Sequence, residues 1–328
     1  MALKKTAIAA PNIALVKYWG KTDNTQKIAM NDSISITLDE KVLRSKATLK
    51  ILDKRGRDEI RLNNKRVEDK KIEEWILLVR KRLLKKYPVV ANKFVIDSGN
   101  NFPTSAGIAS SASGFCALAS ALCGCLGIED RVEMSRLARL GSGSASRSVY
   151  GGYVQWRAGS SPENSYAVQI KPKSHWPELY DVIAIVDEGE KRVGSKDGME
   201  NTSRTSGIMH CRQLNLKKRN KIVRDAILRR DFEKLALEAM RDSNQMHATM
   251  LDSWPPIFYM NDVSREIVYA VHELNYRKII AGYTFDAGPN AHVIVQRKNL
   301  ESVKRMLSKI KGVKRIIVSG VGTGSKIL

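Results

Sequence analysis

Asn101-Phe-Pro-Thr-Ser-Ala-Gly-Ile-Ala-Ser-Ser-Ala-Ser-Gly114 is the stretch on which the fold turns. It lies within residues 98–128, which carry no charged side chain. Such a run reads either as a membrane span or as an uncharged loop feeding a buried helix. A span needs about 20 densely apolar residues, whereas this run holds Pro103, several glycines and Ser98, Ser105, Ser110, Ser111, Ser113 and Ser120. The second reading fits better: residues 109–126 form a tightly packed helix of small residues, ended by Gly127. Small residues let the backbone approach a ligand closely, and a helix N-terminus offers N–H groups and a positive dipole end to phosphate. Ser110 and Ser111 add hydroxyls for phosphate or Mg²⁺. The Gly-Lys-Ser/Thr ending of a Walker A loop is missing, and a plain tight turn suits the same composition.

The neighbouring segments alternate between strand and helix patterns. Residues 33–38 alternate polar and apolar, as a strand does. Residues 45–62 alternate more loosely and predict a hairpin around Lys54-Arg55-Gly56. Residues 70–86 have helical spacing, with Ile72, Trp75, Ile76, Val79 and Leu83 on one face. Residues 130–140 predict another helix, with Asp130 and Glu133 at capping-box spacing and Gly141 as the stop. The composition of residues 157–178 predicts a loop between two halves. Beyond it, strands at Leu179–Val186, His292–Gln296 and Lys314–Ser319 alternate with helices over 219–250 and 263–275. The class is α+β, with mixed units on either side of the loop.

The chain has 328 residues, enough for two domains or one large one. Hydrophobic residues make up 43% and charged residues 27%, which excludes a collagen-like, disulfide-framework or disordered chain. The net charge is +22. That surplus favours anionic partners, from nucleic acid to phosphorylated small molecules, or is a solvated basic surface. Aromatic residues are only 6% and are not interleaved with a basic stripe, against a nucleic-acid platform. Cys116, Cys123, Cys125 and Cys211 read as free thiols in a reducing compartment. Pro11 and Asn12 interrupt the apolar N-terminal stretch, against a signal peptide. No amphipathic anchor or lipidation motif stands out. The expectation is a cytoplasmic protein with neither a nucleic-acid nor a membrane partner.

Three further segments carry candidate chemistry. Gly141-Ser-Gly-Ser-Ala-Ser-Arg147-Ser-Val-Tyr-Gly-Gly152 sets one arginine among hydroxyls, and its fork suits carboxylate or phosphate oxygens. It equally suits an arginine that ties a loop to a carboxylate. Asp286-Ala-Gly-Pro-Asn290 places a carboxylate in a turn, either for chemistry or as an ordinary Asx turn. Ala10-Pro-Asn-Ile-Ala-Leu-Val-Lys-Tyr-Trp-Gly-Lys21 buries lysines among apolar residues, and Lys17 there needs a partner such as Asp286. His247 and His272 fall on predicted helices and read as structural.

Together these segments, with Arg241-Asp-Ser-Asn-Gln-Met-His-Ala-Thr-Met-Leu-Asp252 and Pro255-Pro-Ile257, resemble the diphosphomevalonate decarboxylase family of the GHMP kinase superfamily. The motifs stand in the family's order and span residue 8 to about 296. The resemblance implies the GHMP kinase fold: an N-terminal ribosomal-S5-like domain over 1–176 and a ferredoxin-like C-terminal domain over 177–328. It implies ATP- and Mg²⁺-dependent conversion of mevalonate 5-diphosphate to isopentenyl diphosphate, CO2, ADP and phosphate, in isoprenoid biosynthesis. A homodimer is expected.

The resemblance also assigns roles. Asp286 matches the catalytic aspartate beside the substrate's 3-hydroxyl, and Lys17 the lysine that keeps it ionised. Arg147 matches the arginine that orients the substrate carboxylate, with Asn12 in support. Ser105, Gly107, Ala109, Ser110 and Ser111 match the ATP-phosphate loop, and Ser111 is a candidate Mg²⁺ ligand. Tyr18, Lys21, Ser142, Gly143, Ser144 and Ser195 match substrate-contacting positions. The sequence departs from the family at Ala29-Met-Asn-Asp32-Ser33, where Pro-x-Asn-Ser-Ser is usual. It departs also at Thr22, at Leu77 with Arg80 nearby, and in Ser195-Lys-Asp-Gly-Met199. These departures keep a sibling activity open, decarboxylation of mevalonate 5-phosphate to isopentenyl phosphate.

Overall fold

The computed structural model describes residues 2–102, 110–189 and 191–328. In chain order, β1 (Leu3–Ala9), β2 (Asn12–Val16), β3 (Lys21–Asp23), β4 (Ile28–Ala29), β5 (Ser33–Thr37), β6 (Ser45–Ile51), β7 (Glu59–Leu62) and β8 (Lys65–Arg66) lead into α1 (Lys70–Leu83) and β9 (Phe94–Asn100). Next come α2 (Ser110–Leu126), α3 (Arg131–Gly141), α4 (Ala145–Ser148), β10 (Tyr153–Arg157), β11 (Tyr166–Lys171) and β12 (Leu179–Ile185). The remainder is α5 (Ser195–Thr205), α6 (Met209–Arg229), α7 (Phe232–Leu251), α8 (Asp262–Leu274), β13 (Ala281–Phe285), β14 (Ala291–Gln296), α9 (Leu300–Ser308), β15 (Arg315–Gly320) and β16 (Lys326–Ile327). The α+β class read from the sequence holds.

One sheet runs β16-β1-β6-β9-β7-β8, and a second runs β11-β10-β5-β2. A third has the order β13-β14-β12-β15. With its helices, that third unit is β-α-β-β-α-β with its strands in spatial order 4-1-3-2 and antiparallel neighbours throughout, the ferredoxin-like arrangement. The small-residue helix α2 packs on β1 and β6 in the first core, where Trp75, Phe115 and Leu118 are buried. A second core joins the other two sheets. Ile13, Leu15, Ile34 and Ile36 meet Ile183, Ile185, Leu216, Val223 and Leu235 beneath α6 and α7. The ends of β2 and β13 are thereby brought together under α7.

The face Ile72, Trp75, Ile76, Val79 and Leu83 is buried as the helical spacing predicts. At about 1.5–3 kcal/mol for each large apolar side chain fully buried, that stripe fixes α1. Other expectations fail. The hairpin over 45–62 is not formed: β9 lies between β6 and β7, and β7 runs parallel to β9. The tight hairpin is β7–β8, whose turn residues Asn63 and Asn64 have φ of 51° and 64°, the handedness that two-residue hairpin turns require. The loop placed at 157–178 contains β11, paired along β10. β11 is an edge strand and buries only Ala167, so its alternation is faint in the sequence.

Asp130 caps α3 by accepting from the Val132 N–H, but Glu133 turns instead to Arg82 and Arg136. Gly141 is the last residue of α3 rather than its stop. A Cβ there would fall 2.0 Å from the Phe115 ring, so packing demands the glycine.

Candidate active site

Lys17 is the first residue after β2 and is only 2% exposed. A buried ammonium needs a paired charge. Asp286, the first residue after β13, supplies it: Lys17 Nζ donates to Asp286 Oδ1 at 2.5 Å. Loss of water pushes the Asp286 carboxyl up. The charges of Lys17, His292 and Lys191, with the Lys17 hydrogen bond, outweigh that and hold it below the ordinary aspartate value. Asp286 is therefore a carboxylate at neutral pH, with a side chain still 31% exposed. His292 is itself buried, its Nδ1 2.6 Å from Asp181 Oδ2.

Arg147 lies on the short helix α4 and is 3% exposed. Its Nε donates to Asn12 Oδ1 at 3.0 Å and its Nη1 to Ser33 Oγ at 2.7 Å. Asn12 is in turn held, its Nδ2 donating to the Ser144 carbonyl and to Ser148 Oγ. Burial lowers the Arg147 pKa to about 10 against the pull of Asp286 and Tyr18, so the guanidinium stays charged. One buried cation thus sits in the electrostatic reach of the ion pair, on a rigid polar seat.

The N-terminus of α2 faces the 142–144 turn. Ser111 Oγ lies 3.4 Å from Ser142 Oγ, which lies 3.2 Å from Ser144 Oγ. A Cβ on Gly143 would come within 2.7 Å of the Trp156 ring and 3.1 Å of Tyr18, so only glycine fits that turn. Tyr18 stacks edge-on against Trp156 with centroids 4.8 Å apart, and burial pushes its hydroxyl pKa up. Lys27, with a left-handed φ of 52°, donates to the Leu140 and Gly141 carbonyls at the end of α3. Burial, then the charge of Lys21, pushes Lys27 down to about 8. Lys21 faces α5, where Lys196, Asp197 and Glu200 act on it; burial, the larger influence, lowers its pKa.

The described donors beside α2 are hydroxyls. No group of three or more His, Cys, Asp or Glu that could hold a metal ion exists among the described residues. Such a donor set fits Mg²⁺, which keeps several waters and binds mainly through substrate phosphates. Ser111 and Ser142 are the hydroxyls within reach.

The structure brings Asp286, Lys17, Arg147 and Asn12 together, with Tyr18, Ser142, Gly143 and Ser144 beside them. Ser105, Gly107 and Ala109 lie outside the described residues. Ser110 opens α2, and Ser195 opens α5 on the Lys21 side. Asp32 does not project a charge into the site. Its carboxylate accepts from Gln155 Nε2 and the Ala158 N–H. Leu77 is exposed on α1, and Arg80 is committed to Asp58 and to the Val90 and Asn92 carbonyls. The sequence reading missed Lys191, whose ammonium lies over Gly288 and whose charge reaches Asp286. It missed Ser33 as the second partner of Arg147; a serine in an alternating strand gives no signal of that.

Residues 9–167 match the family described as diphosphomevalonate decarboxylase-like N-terminal domain, and residues 181–317 the mevalonate 5-diphosphate decarboxylase C-terminal domain. The diphosphomevalonate decarboxylase of Candida albicans is 38% identical over 97% of this chain and 96% of its own. That of Saccharomyces cerevisiae is 39% identical over 95% and 83%. Among solved structures, mevalonate diphosphate decarboxylase from Staphylococcus aureus superposes with a TM-score of 0.93 at 35% identity, covering 100% of this chain and 98% of that one. A structure of MDDEF in complex with MVAPP, AMPPCP and magnesium gives 0.91 at 35% identity, covering 100% and 99%.

Proposed function

The chain belongs to the diphosphomevalonate decarboxylase family, and from that premise we propose how its residues convert mevalonate 5-diphosphate and ATP to isopentenyl diphosphate, CO2, ADP and phosphate. The fold is the two-domain α+β type of the GHMP superfamily. The observation that carries the mechanism is the Lys17–Asp286 pair, closed at 2.5 Å in reach of a buried Arg147.

The substrate's 3-hydroxyl is tertiary, a poor nucleophile and a poor leaving group. Asp286 accepts a hydrogen bond from that hydroxyl and takes its proton as the oxygen attacks the γ-phosphorus of ATP. A positioned base of this kind contributes about 10²–10⁴-fold. Lys17 keeps the carboxylate ionised beforehand. When bound with ATP, Mg²⁺ neutralises charge on the phosphate oxygens. The C3–O bond then breaks with phosphate leaving, the C1–C2 bond breaks with CO2 leaving, and the electron pair of that bond becomes the new double bond. Arg147 holds the carboxylate in line for that step through the unused edge of its fork.

Ser110 and Ser111 receive the ATP phosphates at the N-terminus of α2, with Ser105, Gly107 and Ala109 as the further residues the family resemblance assigns to them. Tyr18, Lys21, Ser142, Ser144 and Ser195 take the diphosphate side, with Lys27 supporting the 142–144 turn. We divide the chain at residues 1–176 and 177–328, supported by the two matched segments ending at 167 and starting at 181. A cytoplasmic homodimer is the assembly we propose. The free Cys116, Cys123, Cys125 and Cys211 and the exposed Trp254, Phe258 and Tyr276 support it. No described helix is long and apolar enough to cross a membrane.

The direct test is stoichiometry. Purified protein given ATP and mevalonate 5-diphosphate should release ADP and CO2 in equal amounts. ADP without CO2 would make it a 3-kinase and remove the decarboxylation steps.

A further inference from the structure

We propose that Asp242 and Ser243, neighbours on α7, are positioning residues that together set the placement of Lys17 against Asp286. This inference rests on the reading that the Lys17–Asp286 pair performs the chemistry.

β2 ends at Val16, so the peptide groups of Lys17 leave the strand ladder and must find other partners. Side chains provide them. The Lys17 N–H donates to Asp242 Oδ2 at 2.6 Å. Its carbonyl accepts from Asn31 Nδ2 at 3.1 Å and Arg212 Nη2 at 3.3 Å. Asp242 is fully buried. Arg212 grips both of its oxygens, at 3.2 Å to Oδ1 and 3.3 Å to Oδ2, and Arg219 Nη1 lies 3.4 Å from Oδ1. Arg219 is itself held by Glu238 at 2.9 Å and Gln245 at 2.6 Å. Two acids thus balance two arginines, and the Asp242 carboxylate is held at both oxygens.

The next residue holds the other partner. The N–H of Phe285, the residue preceding Asp286, donates to Ser243 Oγ at 2.9 Å. One turn of one helix therefore grips the main chain at Lys17 and at the residue preceding Asp286. A buried charge network is often no more stabilising than apolar side chains of the same volume, so stability alone does not account for this one. Positioning does, because a misplacement of about 1 Å at reacting groups costs on the order of 10²-fold in rate.

The test uses the full-length chain with Asp242→Asn and Ser243→Ala, and Lys17→Met as the reference. Thermal melting is measured beside kcat and the KM values for mevalonate 5-diphosphate and ATP. Both α7 variants should lower kcat by about tenfold or more while KM stays within about threefold, since the groups that contact substrate are untouched. A kcat within about twofold of the parent in folded variants, or a change in KM alone, overturns the proposal. If Asp242→Asn does not fold, Ser243→Ala decides by the same criterion. Lys17→Met with parental turnover overturns the ion-pair reading and this inference with it. Lys17→Met without turnover beside parental α7 variants overturns the positioning alone.

Discussion

Arg147→Lys isolates what the guanidinium does that a charge alone does not. In the parent, Nε is spent on Asn12 and Nη1 on Ser33, both buried. A lysine ammonium is one point of charge and cannot serve Asn12, Ser33 and a substrate carboxylate together. If it satisfies the two protein partners, the bond to the carboxylate is lost. A hydrogen bond to a charged group is worth about 1.5–3 kcal/mol, and at about 1.4 kcal/mol per factor of ten the turnover loss is roughly 10- to 100-fold. If it turns to the substrate, Asn12 Oδ1 or Ser33 Oγ is stranded, at about 1–3 kcal/mol of stability. The assay is CO2 release under saturating ATP, with thermal melting of the same preparation. A variant with parental kcat and parental Tm would refute the fork as the reason for Arg147.

Asp286→Asn should still bind ATP, measured by calorimetry, yet lose about 10²–10⁴ in turnover; near-parental turnover removes Asp286 from the proton step. Gly141→Ala should cost about 1–3 kcal/mol of stability or more, because its Cβ would lie 2.0 Å from the near end of the Phe115 side chain; an unchanged Tm contradicts the packing argument. Burial, then the charge of Lys17, lowers the His247 pKa from 6.5 to about 4. The folded state thus resists a proton that the unfolded chain accepts. Stability should fall with pH between 6.5 and 4, by about 3 kcal/mol in total. In His247→Phe, denaturant midpoints across that window should fall less; an equal fall means His247 is not the group responsible.

Much of the site was legible because it breaks local rules. Lys17 is a lysine in an apolar run, and the cost of burying it alone demands a carboxylate elsewhere. Arg147 among small hydroxyl residues likewise marks a special position, although the residues alone suit an anion seat and a loop tie equally. What was not legible is long-range. The insertion of β9 between β6 and β7 is a pairing choice made across the sheet, while the local alternation of 45–62 is equally good for a hairpin. The helix α5 is not legible in Ser-Lys-Asp-Gly-Met-Glu-Asn-Thr, which is polar and carries little apolar periodicity. Its Gly198 is required because a Cβ there would meet the Tyr259 hydroxyl at 2.5 Å. Arg212 and Arg219 look like any basic helix face, and only the fold shows that they turn inward to Asp242. Asp32, an alarming charge in the sequence, is turned instead to the Gln155 amide and the Ala158 N–H.

The central claim is that this chain decarboxylates the diphosphate. The most direct measurement is ATP-dependent CO2 release from mevalonate 5-diphosphate and, in parallel, from mevalonate 5-phosphate. The account predicts release from the diphosphate and little from the monophosphate. Preferential release from the monophosphate would contradict it and turn attention to residues 195–199, which open α5 on the Lys21 side, as the determinants of substrate choice.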